Sequence, residues 1–286
     1  MKFKLLSVII ACSAMLLSSC GGGGTRSTEE RSNDEESSTS VNTNKPLNIS
    51  IYLDLSDRLV RDMIPSQKDK DIQIVNYMAE ILKNHSVAQK ILPSRDRIKV
   101  FFYPAPNDSK ISLLSNDLEM DLSKAQPAEK KKILTEFQDK FSTSLTQIYD
   151  ATLQAKNWIG SDIWGFFKKQ VDTYCVREGS RNIIVILTDG YIFHAQNKVK
   201  QGDNYSYILP QTLSNPKSGL IVSRDGLEDL EVLMLEVNPV DPKQQDQMEK
   251  ILQDWFTGMG VMKFYVGETD QPSNTKLIID KFMKEY

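Results

Sequence analysis

The chain has 286 residues, of which 40% are hydrophobic and 26% charged. That balance excludes collagen-like, wholly disordered and multi-pass membrane chains, and it leaves room for one domain of about 200 to 240 residues with accessory segments. The formal net charge is −3, from 35 Lys and Arg against 38 Asp and Glu. With no basic excess to follow a phosphate backbone, nucleic acid is not expected as a partner.

The N-terminus bears on the compartment. Lys2 and Lys4 precede an apolar stretch from Leu5 to Leu17, which is too short to span a bilayer of about 30 Å and reads as an export signal over residues 1–19. It closes on Leu17-Ser18-Ser19-Cys20, an apolar residue, two small residues and a cysteine. This resembles a bacterial lipobox, in which the Cys20 thiol is acylated and becomes the mature N-terminus. Cys12 then leaves with the signal, and Cys175 alone remains for the fold, where its position before an apolar strand suits packing. Loss of Lys2 and Lys4 takes the formal charge from −3 to −5.

Residues 20–46 carry four consecutive glycines and the acidic cluster Glu29, Glu30, Asp34, Glu35 and Glu36. So little can be buried here that the segment reads as a disordered tether, holding the folded part on the order of 30 Å from the bilayer. The expected location is the bacterial outer membrane, on the cell surface or the periplasmic face.

From residue 47 the apolar pattern alternates between strand and helix. Leu47 to Leu53 is a strand that ends at Asp54. Helical spacing over 66–92 stops before Pro93, and Ile98 to Tyr103 forms a second strand closed by Pro104 and Pro106. Residues 110–122 are compatible with a short strand pair. One helix is expected near Pro127 and running to Lys140, and a second from Gln147 to Tyr174 with a break near Gly160. The β-branched run Asn182 to Leu187 is the strongest strand signal and is apolar enough for burial on both faces. Residues 191–228 are polar and punctuated by Gly, Pro and Asn, which marks an insertion. Strands at 230–237 and 261–266 and helices at 241–257 and 273–285 follow. This alternation predicts an α/β fold with a doubly wound, mostly parallel sheet covered by helices on both faces.

In such sheets ligands sit beyond the carboxyl ends of the strands. The first strand releases Asp54-Leu55-Ser56-Asp57-Arg58, the strand at 182–187 releases Thr188-Asp189-Gly190, and Ser144 to Ala151 places hydroxyls at an expected helix start. Together these residues resemble the metal-ion-dependent adhesion site of the von Willebrand factor A family. Asp54 and Ser56 match the first two positions of its Asp-x-Ser-x-Ser loop, Thr146 its threonine, and Asp189 its third-loop aspartate. The resemblance covers residues 47 to 285. It implies an adhesion domain over 47–286 that holds Mg²⁺ or Ca²⁺ through Asp54, Ser56, Thr146 and Asp189, and the lipobox makes that domain lipid-anchored and extracytoplasmic. Hard cations take such oxygen ligands, and a partner's acidic side chain would complete the shell.

Arg58 stands where the family has its second serine. A cation there opposes a divalent metal unless it is turned away or paired, so the same fold with a degenerate site acting as a scaffold is the alternative. No enzyme is expected. His85 and His194 lack triad or metal-ligand spacing, and no Gly-x-Ser-x-Gly elbow or phosphate-cradling glycine loop is present. A metal-assisted phosphoesterase is the enzymatic rival, although Ser56 stands where a dehalogenase-like phosphatase needs a second aspartate. His85 reads as exposed at a helix end. Tyr191, Ile192 and Phe193 would form an apolar rim beside the site if exposed.

Overall fold

A computed structural model describes residues 45–156, 158, 160–192, 200–201, 204–205, 215, 219–222, 226–269 and 271–284. The expected signal, the acylated Cys20 and the tether up to Asn44 lie outside the described residues, as do His194, Phe193 and most of the 191–228 insertion. Among the described residues no helix is long and apolar enough to cross a membrane.

Six strands form the central sheet: β1 (Leu47–Leu53), β2 (Arg97–Phe101), β3 (Glu119–Asp121), β4 (Arg181–Leu187), β5 (Leu230–Leu235) and β6 (Lys263–Gly267). Their spatial order is β3-β2-β1-β4-β5-β6, parallel throughout except for the antiparallel edge strand β3. This is a doubly wound α/β sheet, and its winding reverses between β1 and β4. The helices are α1 (Gln67–Ala88), α2 (Ser109–Leu114), α3 (Pro127–Ala155), α4 (Ile163–Lys169), α5 (Val171–Tyr174), α6 (Gln245–Gly258) and α7 (Pro272–Lys284).

Because successive strand residues face opposite ways, the central strands feed two separate cores. Ile183, Val185 and Leu187 of β4 join Ile49, Ile51 and Leu53 beneath α1, α3 and α7. Ile184 and Ile186 join Tyr52, Val232 and Met234 beneath α4, α5 and α6. The second core is rich in rings: Phe167, Trp255 and Phe256 stack within 5.2 to 5.8 Å of one another. Cys175 lies in this core as expected, completely buried, and burial pushes its thiol up to about 12.

Three readings of the sequence change. Residues 109–114 form a helix capped by Asp108, whose carboxylate accepts from the Lys110 and Ile111 amides, so the 110–122 stretch contributes α2 and then a single edge strand. Where two long helices were expected, α3 runs unbroken from Pro127 to Ala155, since Ser142, Thr146 and Thr152 neither end nor cap it. The Thr146 and Thr152 hydroxyls donate instead to carbonyls four residues back, an accommodation that leaves the helix continuous. His85 is not a free surface group: its Nδ1 lies 2.9 Å from Asp96 Oδ2, which also accepts from the Ser86 hydroxyl at 2.6 Å.

A thiol held this high is almost entirely protonated at pH 8 and has no route to solvent. We expect Cys175 to resist iodoacetamide in the folded protein and to react fully in denaturant, read by mass spectrometry of its peptide.

Candidate functional site

The carboxyl ends of β1 and β4 are neighbours in register, so the chain exits at Asp54 and Thr188 side by side. Asp54 is buried. Its Oδ1 accepts from the Ser56 amide at 2.9 Å and its Oδ2 from the Thr188 hydroxyl at 2.9 Å. Ser56 caps the short 3₁₀ turn Asp57–Val60, and its hydroxyl accepts from the Arg58 amide.

That turn folds the Arg58 side chain back under the loop, where it is completely buried. Its Nε donates to the Asp54 carbonyl at 2.9 Å, and its Nη2 donates to Asp71 Oδ2 at 2.6 Å and to the Leu187 carbonyl at 3.2 Å. Asp71, on α1, also accepts from the Tyr149 hydroxyl at 2.7 Å and from Gln67 at 2.9 Å. Burial works against the guanidinium's charge, but Asp71 and then Asp54 outweigh it, so Arg58 titrates above its ordinary value. Burial raises the Asp71 carboxyl despite the opposing pull of Arg58.

A second arginine reaches the same rim from above. Arg61 Nη2 donates to Asp189 Oδ2 at 2.7 Å, and its Nη1 to the Asn238 carbonyl at 2.6 Å. Asp189 Oδ1 faces the Tyr191 amide at 3.4 Å. Burial, and next the nearby charge of Asp54, push the Asp189 carboxyl up to about 7 against the pull of Arg61 and Arg58. Gly190 follows at φ +101°, where an added Cβ would sit 2.4 Å from Met248 Sδ, so only glycine fits.

The network extends under β5. Glu236, in the left-handed region at φ 66°, sits 2.5 Å from Lys70 Nζ and also accepts from Gln67 and the Thr269 hydroxyl. A buried, non-glycine residue in that conformation is held by its partners rather than by its own preference.

Of the four oxygen donors singled out in the sequence, Asp54, Ser56 and Asp189 gather at one rim. Thr146 does not join them by any hydrogen bond: it lies mid-way along α3, its hydroxyl spent on the Ser142 carbonyl at 2.9 Å. The α3 residue that enters the network is Tyr149, one turn further on. Arg61, Asp71, Tyr149 and Glu236 were missed: Asp71 because a charged residue inside a helical pattern reads as solvated, Tyr149 because an aromatic there reads as core, and Arg61 and Glu236 because they lie in loops with no period. The available signal was Asp71 at the i+3 and i+4 spacing of the apolar positions Ile74 and Val75. Nor is the rim flanked by an exposed Ile192, which is buried; Tyr191 is half-buried, with its hydroxyl accepting from the Val240 amide.

The candidate donors are drawn into contacts within the chain. Each oxygen of Asp54 already accepts from a protein donor, Asp189 is clamped by a guanidinium, and Arg58 fills the ground beneath them. Among the described residues no group of three or more His, Cys, Asp or Glu side chains has the arrangement of a metal site.

No protein-family model matches the chain, and no curated protein matches it. Among solved structures it is similar to an aerotolerance-related membrane protein from Bacteroides fragilis, at 13% identity and TM-score 0.39, covering 83% of this chain and 99% of the other. The conserved hypothetical protein BatB from Bacteroides thetaiotaomicron is similar at 14% identity and TM-score 0.39, covering 83% and 99%. The pilus adhesin SpaC from Lactobacillus rhamnosus GG is similar at 11% identity and TM-score 0.45, covering 84% of this chain and 30% of the adhesin. At these values the matches carry no inference about activity or partners.

Two outcomes follow from the geometry. Arg58→Met leaves Asp71 and Asp54 buried without their cation and is expected to cost about 3–5 kcal/mol in urea unfolding. For Asp189, the folded carboxyl keeps its proton between the ordinary value near 3.9 and about 7 while the unfolded chain has lost it. Its contribution to stability therefore falls as pH rises through that window. Asp189→Asn should flatten the melting-temperature profile between about pH 4 and pH 7.

Proposed function

We infer that this chain is a lipid-anchored, extracytoplasmic binding module of von Willebrand factor A type whose rim works without a metal ion, a scaffold or adhesion domain rather than an enzyme. The observation that carries this reading is the occupation of both rim carboxylates by the chain's own donors, Ser56, Thr188 and Arg61, over a buried Arg58. The doubly wound sheet and the loop residues at the ends of β1 and β4 support the family type. The lipobox ending at Cys20 and the acidic tether support anchoring at the outer membrane.

Without an ion, an acidic partner loses its counter-charge. The rim instead exposes Asp57, Asp62 and Asp241 around Val60, Ile64 and Val240, whose side chains are 59%, 94% and 63% accessible. Such a surface suits a protein partner with basic and apolar side chains, drawn by long-range attraction that salt would weaken.

Calorimetric titration with Mg²⁺ and with Ca²⁺ is the deciding measurement: no saturable heat and no rise in melting temperature are expected, whereas a stoichiometric transition lost in Asp54→Ala would restore the metal-dependent adhesion site. A panel of phosphate esters addresses the enzymatic rival. No turnover is expected; turnover abolished by Asp54→Asn would make the chain a phosphoesterase.

A further inference from the structure

Beside the arginine-filled rim, and independent of any partner read from it, a cavity of about 170 Å³ opens at the carboxyl ends of β1 and β2. Its floor and walls come from Leu53 and Leu55 on either side of Asp54, from Phe102 and Pro104 after β2, and from Ile111 of α2. Thr152 and Ala155 of α3 close the far side. Leu55 is held in place by a bridge to Gly160, so the wall nearest the rim is tied down rather than hanging as an open loop.

Two of the polar side chains along this lining are already used within the chain. The Thr152 hydroxyl donates to the Ile148 carbonyl at 2.9 Å, and the Asp108 carboxylate caps α2 through Oδ1 at 2.8 and 3.1 Å. An anionic group entering among Leu53, Leu55, Phe102 and Ile111 would lose water without gaining a cationic partner, since among the described residues no lysine or arginine lines the cavity and Asp108 does. An apolar group would gain contacts along walls that now lack them. Size narrows the class further, since a space of this order accommodates a ring of benzene size. We propose that this cavity is a binding site for an uncharged apolar ring of about phenyl size, at the same end of the sheet where doubly wound folds place their ligands.

Such a ring arrives either as a free hydrophobe or as an aromatic side chain of a polypeptide, and two probes separate these sources. Toluene and N-acetyl-phenylalaninamide would each be titrated into the ¹⁵N-labelled full mature chain, with benzoate as the charged control. The expected result is saturable movement of the Leu55, Phe102, Ile111 and Ala155 amides, half-complete on the order of 1 mM with toluene, and at least about tenfold weaker binding of benzoate. Equal or tighter binding of the amide assigns the site to a side chain, and binding of toluene alone assigns it to a free hydrophobe; both sustain the proposal. Thr152→Met extends an apolar chain into the cavity and Ala155→Phe covers its mouth. Either variant, checked for an unreduced melting temperature, should weaken toluene at least about tenfold. Movement that never saturates, or that persists unchanged in both variants, or benzoate binding as well as toluene, overturns it.

Discussion

The structure turns on one buried guanidinium. Arg58 leaves the end of β1 and returns beneath its own loop, bonding the Asp54 and Leu187 carbonyls of two adjacent strands and the Asp71 carboxylate of α1. A charge taken out of water costs several kcal/mol, and that cost is offset here by oxygens within reach of Nε, Nη1 and Nη2. The arrangement fixes the first loop, the first helix and the central strand pair relative to one another. It also sets a fixed positive charge directly beneath the rim, beside Asp54.

Around that centre the polar groups are arranged in linked pairs rather than as an open cup. Asp71 joins Arg58 to Tyr149 of α3, Gln67 joins Asp71 to Glu236, and Glu236 joins Lys70 and Thr269. Such a chain of contacts crosses from α1 to α3 on one side and to the segments after β5 and β6 on the other. A strained backbone at Glu236 and a carboxyl at Asp189 held near neutrality mark the places where this network sets local preference aside. Both lie at the carboxyl end of the sheet, beside the exits of β4 and β5.

The rim carboxylates of Asp54 and Asp189 both engage donors of the chain itself. Hydrogen bonds of Arg58 tie the rim from beneath, and its outer face mixes exposed aliphatic side chains with carboxylates. The apolar cavity next to it shares the β1 exit loop through Leu53 and Leu55. One loop thus presents a charged neighbourhood on one side and an uncharged hollow on the other.

The sequence by itself determined the sheet and its covering. The runs at 47–53, 182–187 and 230–235 are mostly apolar, interrupted only by Asn48, Ser50, Asn182 and Glu231, and burial on two faces leaves such a run few other places to go. It also determined that Asp54, Ser56 and Asp189 share an edge, since the carboxyl ends of adjacent parallel strands must lie together. Tertiary structure decided the rest. Whether Thr146 opens a helix or sits inside one depends on packing along all of α3, because a hydroxyl can bond its own helix as readily as cap the next. Whether Arg58 repels an ion from the surface or is swallowed beneath it depends on Asp71, thirteen residues away, and on Tyr149 beyond it. Side-chain direction and long-range partnership have no period in the chain, so the charge at position 58 was legible while its burial was not.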